Sequence, residues 1–348
     1  MIDVDLTGMG RNLDKRRFDP SATVPGFDIP LDEMRSALRD LYARAGGPRS
    51  KAGLLTDPLR PRRGAAYWIL AFLVAVIGVV LGVLTADMDL DGLQGWAYFP
   101  LIGAAGAFYL ALRGVVCFRP RAETLLALDG RPPVIYLRSF RDDDAMVGRP
   151  MRISLDAFRW NYILTEYTRG GVFRVMFHHG KVRLEQAIED ELSGIGPFIA
   201  IGEPKESHPD FGATRAYFEG DDVAWRSAVQ SWIGRAAVVV VVPGQTHGLA
   251  WELEQIQAGG STTKLLLVFP PEPPKRRAAR LTALAGMIAE PRWHEAIRSP
   301  TNNPLLAVFS TGAGELVRVT SRKPKLAELE FAVELGLYGM FCSPHERA

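Results

Sequence analysis

The apolar positions of this chain fall into two regimes. Residues 65–86 read AAYWILAFLVAVIGVVLGVLTA without a single charge, and residues 96–118 form a second apolar stretch interrupted only by Arg113. At about 1.5 Å per residue, either stretch reaches roughly 30 Å as a helix, the thickness of a bilayer's hydrocarbon core. From residue 121 onward the pattern changes to short β-branched runs alternating with amphipathic segments. That alternation predicts an α/β domain with a mainly parallel sheet covered by helices. Its sharpest instance is RAAVVVVVPGQTHGLAWELEQI, residues 235–256. Five consecutive valines predict a strand buried on both faces. Pro243 and Gly244 stop it, and Thr246 is suited to cap a helix on which Leu249, Leu253 and Ile256 recur at helical spacing.

The same reasoning places the other elements. PPVIYLRSF, residues 132–140, predicts a first strand running into the polar loop RDDD. KVRLEQAIEDELSGIG reads as a helix, PFIAIG as a strand, and DDVAWRSAVQSWIGRA as a helix capped by Asp221 or Asp222. KLLLVFP, residues 264–270, is a further strand, followed by a helix near residues 280–288, a final strand LLAVFS and a closing helix LAELEFAVELGLYGMF. Residues 145–180 read as an insertion with at least one helix. Residues 1–64 are polar and broken, apart from one amphipathic helix whose Leu31, Met34, Leu38 and Leu41 share a face; that face could dock on the main domain, a partner or the membrane surface, and packing on its own protein is expected. The organisation is thus an N-terminal segment 1–64, a transmembrane hairpin 65–118 (65–86 and 96–118) and a domain 121–348.

Charge fixes the orientation of the hairpin. Arg49, Lys51, Arg60, Arg62 and Arg63 precede the first stretch, Arg113, Arg119 and Arg121 close the second, and the loop DMDLDGLQG carries neither lysine nor arginine. Both termini are therefore expected in the cytoplasm, with the protein a multi-pass resident of the inner, cytoplasmic membrane and the lipid bilayer its first partner. Tyr67 and Trp68 at one end and Trp96 and Tyr98 at the other suit the two interfaces. Over 348 residues the net charge is only +2, which gives no electrostatic case for a nucleic-acid partner. Two cysteines, Cys117 and Cys342, supply neither a disulfide framework nor a zinc site. P-loop, dinucleotide-fingerprint, HExxH and nucleophile-elbow motifs are lacking from the sequence.

Candidate chemistry concentrates at the carboxyl edge of the expected sheet, where open α/β folds hold ligands. Glu252 falls in the first turn after the valine strand, with Thr246 and His247 in the loop before it. An acid there also complements the helix dipole without any chemical role. Asp142, Asp143 and Asp144 read as a solvated loop rather than a metal site, and His178 and His179 lack partners at ligand spacing, so no metal is expected. Trp225, Trp232 and Trp251 read as core rather than as a stacking platform.

The order of these pieces resembles the Toll/interleukin-1 receptor (TIR) fold, a flavodoxin-like sheet found in bacterial defence effectors, immune adaptors and some NAD-cleaving enzymes. IYLRSFRDD matches the family's first strand and its Ser/Tyr-Arg-Asp stretch, IGRAAVVVVV the cluster in which a helix of the family pattern ends, and THGLAWEL its Ser-x-Trp-x-x-x-Glu-Leu loop-helix, with Glu252 and Leu253 on the Glu-Leu. Thr246 replaces the family's Ser, Gly248 and Leu249 replace its Trp and the following residue, and the 145–180 insertion is unusual. The resemblance covers roughly residues 132–321, and extends to bacterial membrane proteins with a two-helix anchor before a divergent TIR-like domain. It implies that Glu252 contacts the ribose bonded to nicotinamide while the N-glycosidic bond breaks. It also implies that Arg138, Ser139 and Arg141 meet phosphates, and that Gly202, Glu203, Thr246 and His247 line the same edge. NAD would enter as substrate, with no resident cofactor. Three functions follow: a membrane-anchored NAD or nucleotide glycohydrolase in signalling or defence, a non-catalytic module that self-associates into homo-oligomers or serves as an adaptor recruiting a partner, and an effector in which the hairpin itself perturbs the membrane.

Overall fold

The computed structural model describes residues 1–7, 9, 13, 22–47, 61–86, 98–118, 120–139, 146–148, 181–202, 213–218, 222–322 and 324–342. They group into two compact units, one of residues 1–50, 126–204 and 212–348, the other of 51–125 and 205–211.

The larger unit is α/β. In chain order its strands are β1 (Ile2–Asp5), β2 (Thr23–Val24), β3 (Ile29–Pro30), β4 (Val134–Arg138), β5 (Met146–Gly148), β6 (Lys181–Arg183), β7 (Phe198–Ile201), β8 (Thr214–Ala216), β9 (Val238–Val242), β10 (Leu265–Val268), β11 (Leu305–Ser310) and β12 (Leu316–Thr320). Among the described residues, eight of these form one sheet in the order β1-β12-β11-β10-β9-β4-β7-β8. Each neighbouring pair is parallel except β10 with β11 and β11 with β12, so β11 alone runs against the rest. The valine strand β9 lies between β10 and β4, in register from Val134 opposite Val238 to Arg138 opposite Val242. All five valines are buried, as expected for a central strand covered on both faces.

Helices of this unit are α1 (Leu31–Arg44), then, beyond α2 (Pro61–Ala86) and α3 (Tyr98–Cys117) of the smaller unit and the boundary helix α4 (Ala122–Leu128), α5 (Leu184–Leu192), α6 (Asp222–Arg235), α7 (His247–Ala258), α8 (Pro274–Met287), α9 (Pro291–Arg298) and α10 (Leu326–Phe341). The closing helix α10 is buried along almost its whole length from Leu326 to Met340. Helix α1 docks beside it: Leu31, Met34 and Leu38 join the core, Arg35 faces Glu334 at 3.9 Å, and the Tyr42 hydroxyl donates to the Glu191 carbonyl at 2.8 Å. The amphipathic stripe of the N-terminal segment thus meets its own domain.

Three elements depart from the sequence pattern. The polar N-terminus supplies the edge strand β1, with Val4 and Leu6 buried in the core. LVRVT forms β12 although Arg318 interrupts its apolar run; Asp3 of β1 accepts both Nε and Nη2 of that guanidinium at 2.6 Å. Beyond α8, where the sequence pattern predicts no helix, α9 begins at Pro291 and buries Trp293, Ala296 and Ile297. The expected insertion 145–180 lies outside the described residues except for 146–148, whose strand pairs antiparallel with β6.

In the smaller unit, α2 and α3 pack against each other through glycines. A Cβ on Gly78 would stand 2.8 Å from the Gly103 Cα, one on Gly114 would meet the Trp68 ring, and one on Gly64 the Phe118 ring. These pairings run in opposite directions along the two helices, so the packing is antiparallel. Among the described residues only Pro61–Leu84 is long and apolar enough to cross a membrane by itself, at a mean hydropathy of 2.7; in α3 the apolar part, Phe99–Ala111, is shorter. Arg113, whose Nε donates to the Tyr109 hydroxyl at 3.1 Å, ends that run.

Candidate functional site

The sheet reverses its winding between β4 and β9: from β4 the chain proceeds outward to β7 and β8, then returns to the other side of β4 for β9 and β10. Loops diverge at such a point and leave a crevice beyond the carboxyl ends of the strands. A cavity of about 250 Å³ lies there. Strand β4 contributes Tyr136, Leu137 and Arg138, β7 and its end Ile201 and Gly202, the segment after β8 Phe218, helix α6 Asp222 and Trp225, and the start of α7 Thr246, Gly248, Leu249 and Glu252.

Local chemistry explains how Glu252 reaches this place. Pro243 ends β9, and its carbonyl accepts a hydrogen bond from Arg280 Nη1, whose guanidinium is held by Glu272 at 2.7 Å. Thr246 then caps α7, its Oγ1 accepting from the Leu249 amide at 3.4 Å. Glu252 stands in the second turn of α7, not in the first turn where the helix dipole favours an acid, and its side chain is only 5% exposed. Burial among apolar groups disfavours its charged form and pushes its pKa up to about 8. The side chain is therefore mostly a neutral acid at pH 7.

A second buried carboxylate behaves in the opposite way. Burial pushes the Glu185 pKa up, but the charges of Arg215 and Arg138, a hydrogen bond from Arg215 and one from the Ala213 amide outweigh it and hold the group below the usual range. Arg215 donates through both terminal nitrogens, at 2.7 and 3.0 Å, and the Ala213 amide at 2.7 Å. Arg138 approaches the same carboxylate at 3.5 Å and lies over the Tyr136 ring at 5.7 Å. A guanidinium at the end of β4 is thus fixed beside the cavity by a network that spans α5, β8 and β4.

Of the residues singled out from the sequence, the structure brings Glu252, Arg138, Gly202 and Thr246 together around one cavity. Gly202 has no room for a side chain there, since a Cβ would come 2.4 Å from the Tyr217 ring. Ser139 is buried at the end of β4 and is not part of the lining, and His247, the first residue of α7, is exposed and also outside it. Arg141 and Glu203 lie outside the described residues, as do Asp142, Asp143, Asp144, His178 and His179. Tyr136, Phe218, Asp222 and Trp225 were not foreseen as lining. Trp225 in particular is half-buried beside the cavity rather than in the core, whereas Trp232 is buried. Among the described residues no group of three His, Cys, Asp or Glu side chains is placed to hold a metal ion.

The arrangement joins a buried acid, aromatic walls and one guanidinium, which suits a small planar ligand that also carries an anionic group. No protein-family model matches this chain, and comparison with curated proteins and with solved structures finds no match either.

Proposed function

We propose that the protein is a membrane-anchored effector whose cytosolic unit is a divergent TIR-like, flavodoxin-like domain that cleaves the N-glycosidic bond of NAD or a related nucleotide at the Glu252 cavity. The observation that carries this reading is the buried carboxyl of Glu252 at the winding reversal, facing a cavity with aromatic walls. In the reaction the bond between ribose C1′ and the nicotinamide nitrogen breaks, the ring leaves with the bonding electrons as neutral nicotinamide, and water adds to the oxocarbenium-like sugar with release of a proton. An electron-poor cationic ring next to Glu252 favours its ionised form, so on docking the neutral acid releases its proton to water and becomes the carboxylate that the developing sugar cation needs. Arg138 is placed for a phosphate oxygen.

Membrane attachment rests on α2 and on the way the α/β unit is closed. Arg131 Nη1 donates to the carbonyls of Gly47, at 2.6 Å, and Gly194, at 3.1 Å, while Asp129 grips the same guanidinium at 2.7 Å. The chain therefore leaves this unit and re-enters it at one place. A chain that returns to the same unit supports the reading in which α2 crosses the bilayer and α3 is the return span of a two-helix hairpin.

The deciding experiment incubates the full chain in nanodiscs with NAD and follows nicotinamide release. Wild type is expected to release it and Glu252→Gln to lose at least about 100-fold of the rate, in line with removing a group that stabilises transition-state charge. Absence of release at every protein density would leave the unit a non-catalytic, self-associating module, the reading that Gly248 and Leu249 at the two family positions favour.

A further inference from the structure

We propose that Trp225 is the ring-binding wall of the Glu252 cavity and selects a cationic planar ring, the oxidised nicotinamide, over its uncharged counterparts. This inference deepens the glycohydrolase reading and rests on the same cavity. Trp225 belongs to α6, not to the strand-end loops, and three contacts fix its indole. The benzo edge lies against α7 at Gly248, where a built Cβ would stand 3.8 Å from Cζ2 and Cη2. Trp251 packs beside it with ring centroids 5.0 Å apart at 47°. The Arg226 guanidinium covers both rings, at 5.9 Å from Trp225 and 5.3 Å from Trp251. So braced, the indole is half-buried, and it lines the cavity.

Charge on the two sides of the lining sets what the wall receives. The helical side carries Asp222, one turn before Trp225 on α6, and Glu252, one turn after Gly248 on α7. The strand-end side carries Arg138. The indole attracts a positively charged ring through its π system, and Asp222 one turn away offers a counter-ion despite the Arg226 guanidinium over the same ring; Glu252, a neutral acid in the empty cavity, becomes a second counter-ion only as the cation docks. A neutral ring gains only the stacking part of that energy. The phosphate attached to the same nucleotide then falls towards Arg138.

The test uses the full chain in detergent micelles with 1-methylnicotinamide, a cationic ring, and nicotinamide, a neutral one, as probes. Binding is followed by the long-wavelength charge-transfer absorbance of an indole stacked on a pyridinium, and by quenching of tryptophan fluorescence. Wild type is expected to bind the cation saturably, about tenfold or more tighter than nicotinamide, with the charge-transfer band present. Trp225→Leu is expected to lose the band and about tenfold in affinity. Trp225→Phe, which keeps a ring in place, should retain most of the affinity while losing the band, which separates the stacking role from a folding defect. Equal affinity of wild type and Trp225→Leu for the cation, or equal affinity of wild type for both probes, would overturn the assignment. Cation binding that depends on Trp225 without nicotinamide release from NAD would sink the catalytic reading and leave this subsite standing; release with an unchanged KM in Trp225→Leu would do the reverse.

Discussion

Glu252 and Glu185 are both buried carboxyls, yet their surroundings move them in opposite directions, and stability should report the difference. Glu252 has a folded pKa of about 8, raised by burial from an ordinary 4.5. The folded state therefore binds its proton more tightly than the unfolded chain does, and the stabilisation is complete below about pH 4.5 and drains away as pH rises towards 8. Fully realised, the loss is about 4 to 5 kcal/mol. Urea unfolding between pH 5 and 9 is expected to show this decline in wild type and a flattened profile in Glu252→Gln; an unchanged slope in the variant would refute the buried neutral acid. Glu185 is depressed, so its contribution is present above the ordinary carboxyl range and lost on acidification. Glu185→Ala removes the buried carboxylate that Arg215 and Arg138 share, and breaking such a buried pair should cost about 3 to 5 kcal/mol at pH 7, measured by the same unfolding experiment. Only one of the two sites was legible beforehand. Glu252 follows a strand, a stop and a cap that are contiguous in sequence, whereas the meaning of Glu185 on helix α5 depends on Arg215, thirty positions away on strand β8. On a helix with an amphipathic pattern, such an acid reads as solvated surface. Trp225 departs from the core placement its pattern implies for a related reason: helical spacing locates a face, and only the fold shows that this face borders a cavity.

The elements that the pattern revealed are those that satisfy themselves locally. β9 buries five valines, α7 carries its own cap, and α10 is apolar nearly throughout. The elements it concealed, β1 and β12, depend on each other across almost the full length of the chain. IDVD alternates acid with apolar and looks like a frayed terminus until Val4 is seen at the sheet edge, and Arg318 looks fatal to a buried strand until Asp3 is seen to hold it. That carboxyl lies below its ordinary pKa chiefly because of the hydrogen bond from Arg318, with the charge of the same residue adding to it against a partial desolvation. If the N-terminal strand is part of the core, trimming its anchor must be felt by the whole unit. Leu6 is 1% exposed, and Leu6→Ala is expected to destabilise the α/β unit by about 2 to 5 kcal/mol, as for other buried leucines. A shift in the urea midpoint tests it; a change below about 0.5 kcal/mol would mean that residues 1–7 pack without contributing to stability.

At the scale of the whole chain, the apolar helices are an excursion from a domain that has already begun. Residues 1–47 supply an edge strand and a docked helix, residues from 126 onward supply the rest of the sheet, and the clasp of Arg131 on Gly47 and Gly194 closes the gap between them. A hydrophobic profile marks 65–118 as different from its flanks, but cannot tell whether the flanks belong to one folded body or to two. The parity of crossings depends on that distinction: one body on one side of a bilayer requires an even number, which supports α3 as the return span if α2 crosses, even though Phe99–Ala111 is short for the task. The same geometry predicts what surgery should do. Gly47 and Arg131 are in hydrogen-bond contact, and about ten flexible residues have an r.m.s. reach of roughly 17 Å, ample to bridge the two cut ends. Replacing residues 51–125 with such a Gly/Ser bridge is expected to yield a soluble monodisperse protein whose α/β unit keeps its urea midpoint and binds 1-methylnicotinamide as the full chain does. Aggregation or a lowered midpoint would show that the apolar helices are needed to hold the sheet together, and the proposal that they serve only to anchor it would fall.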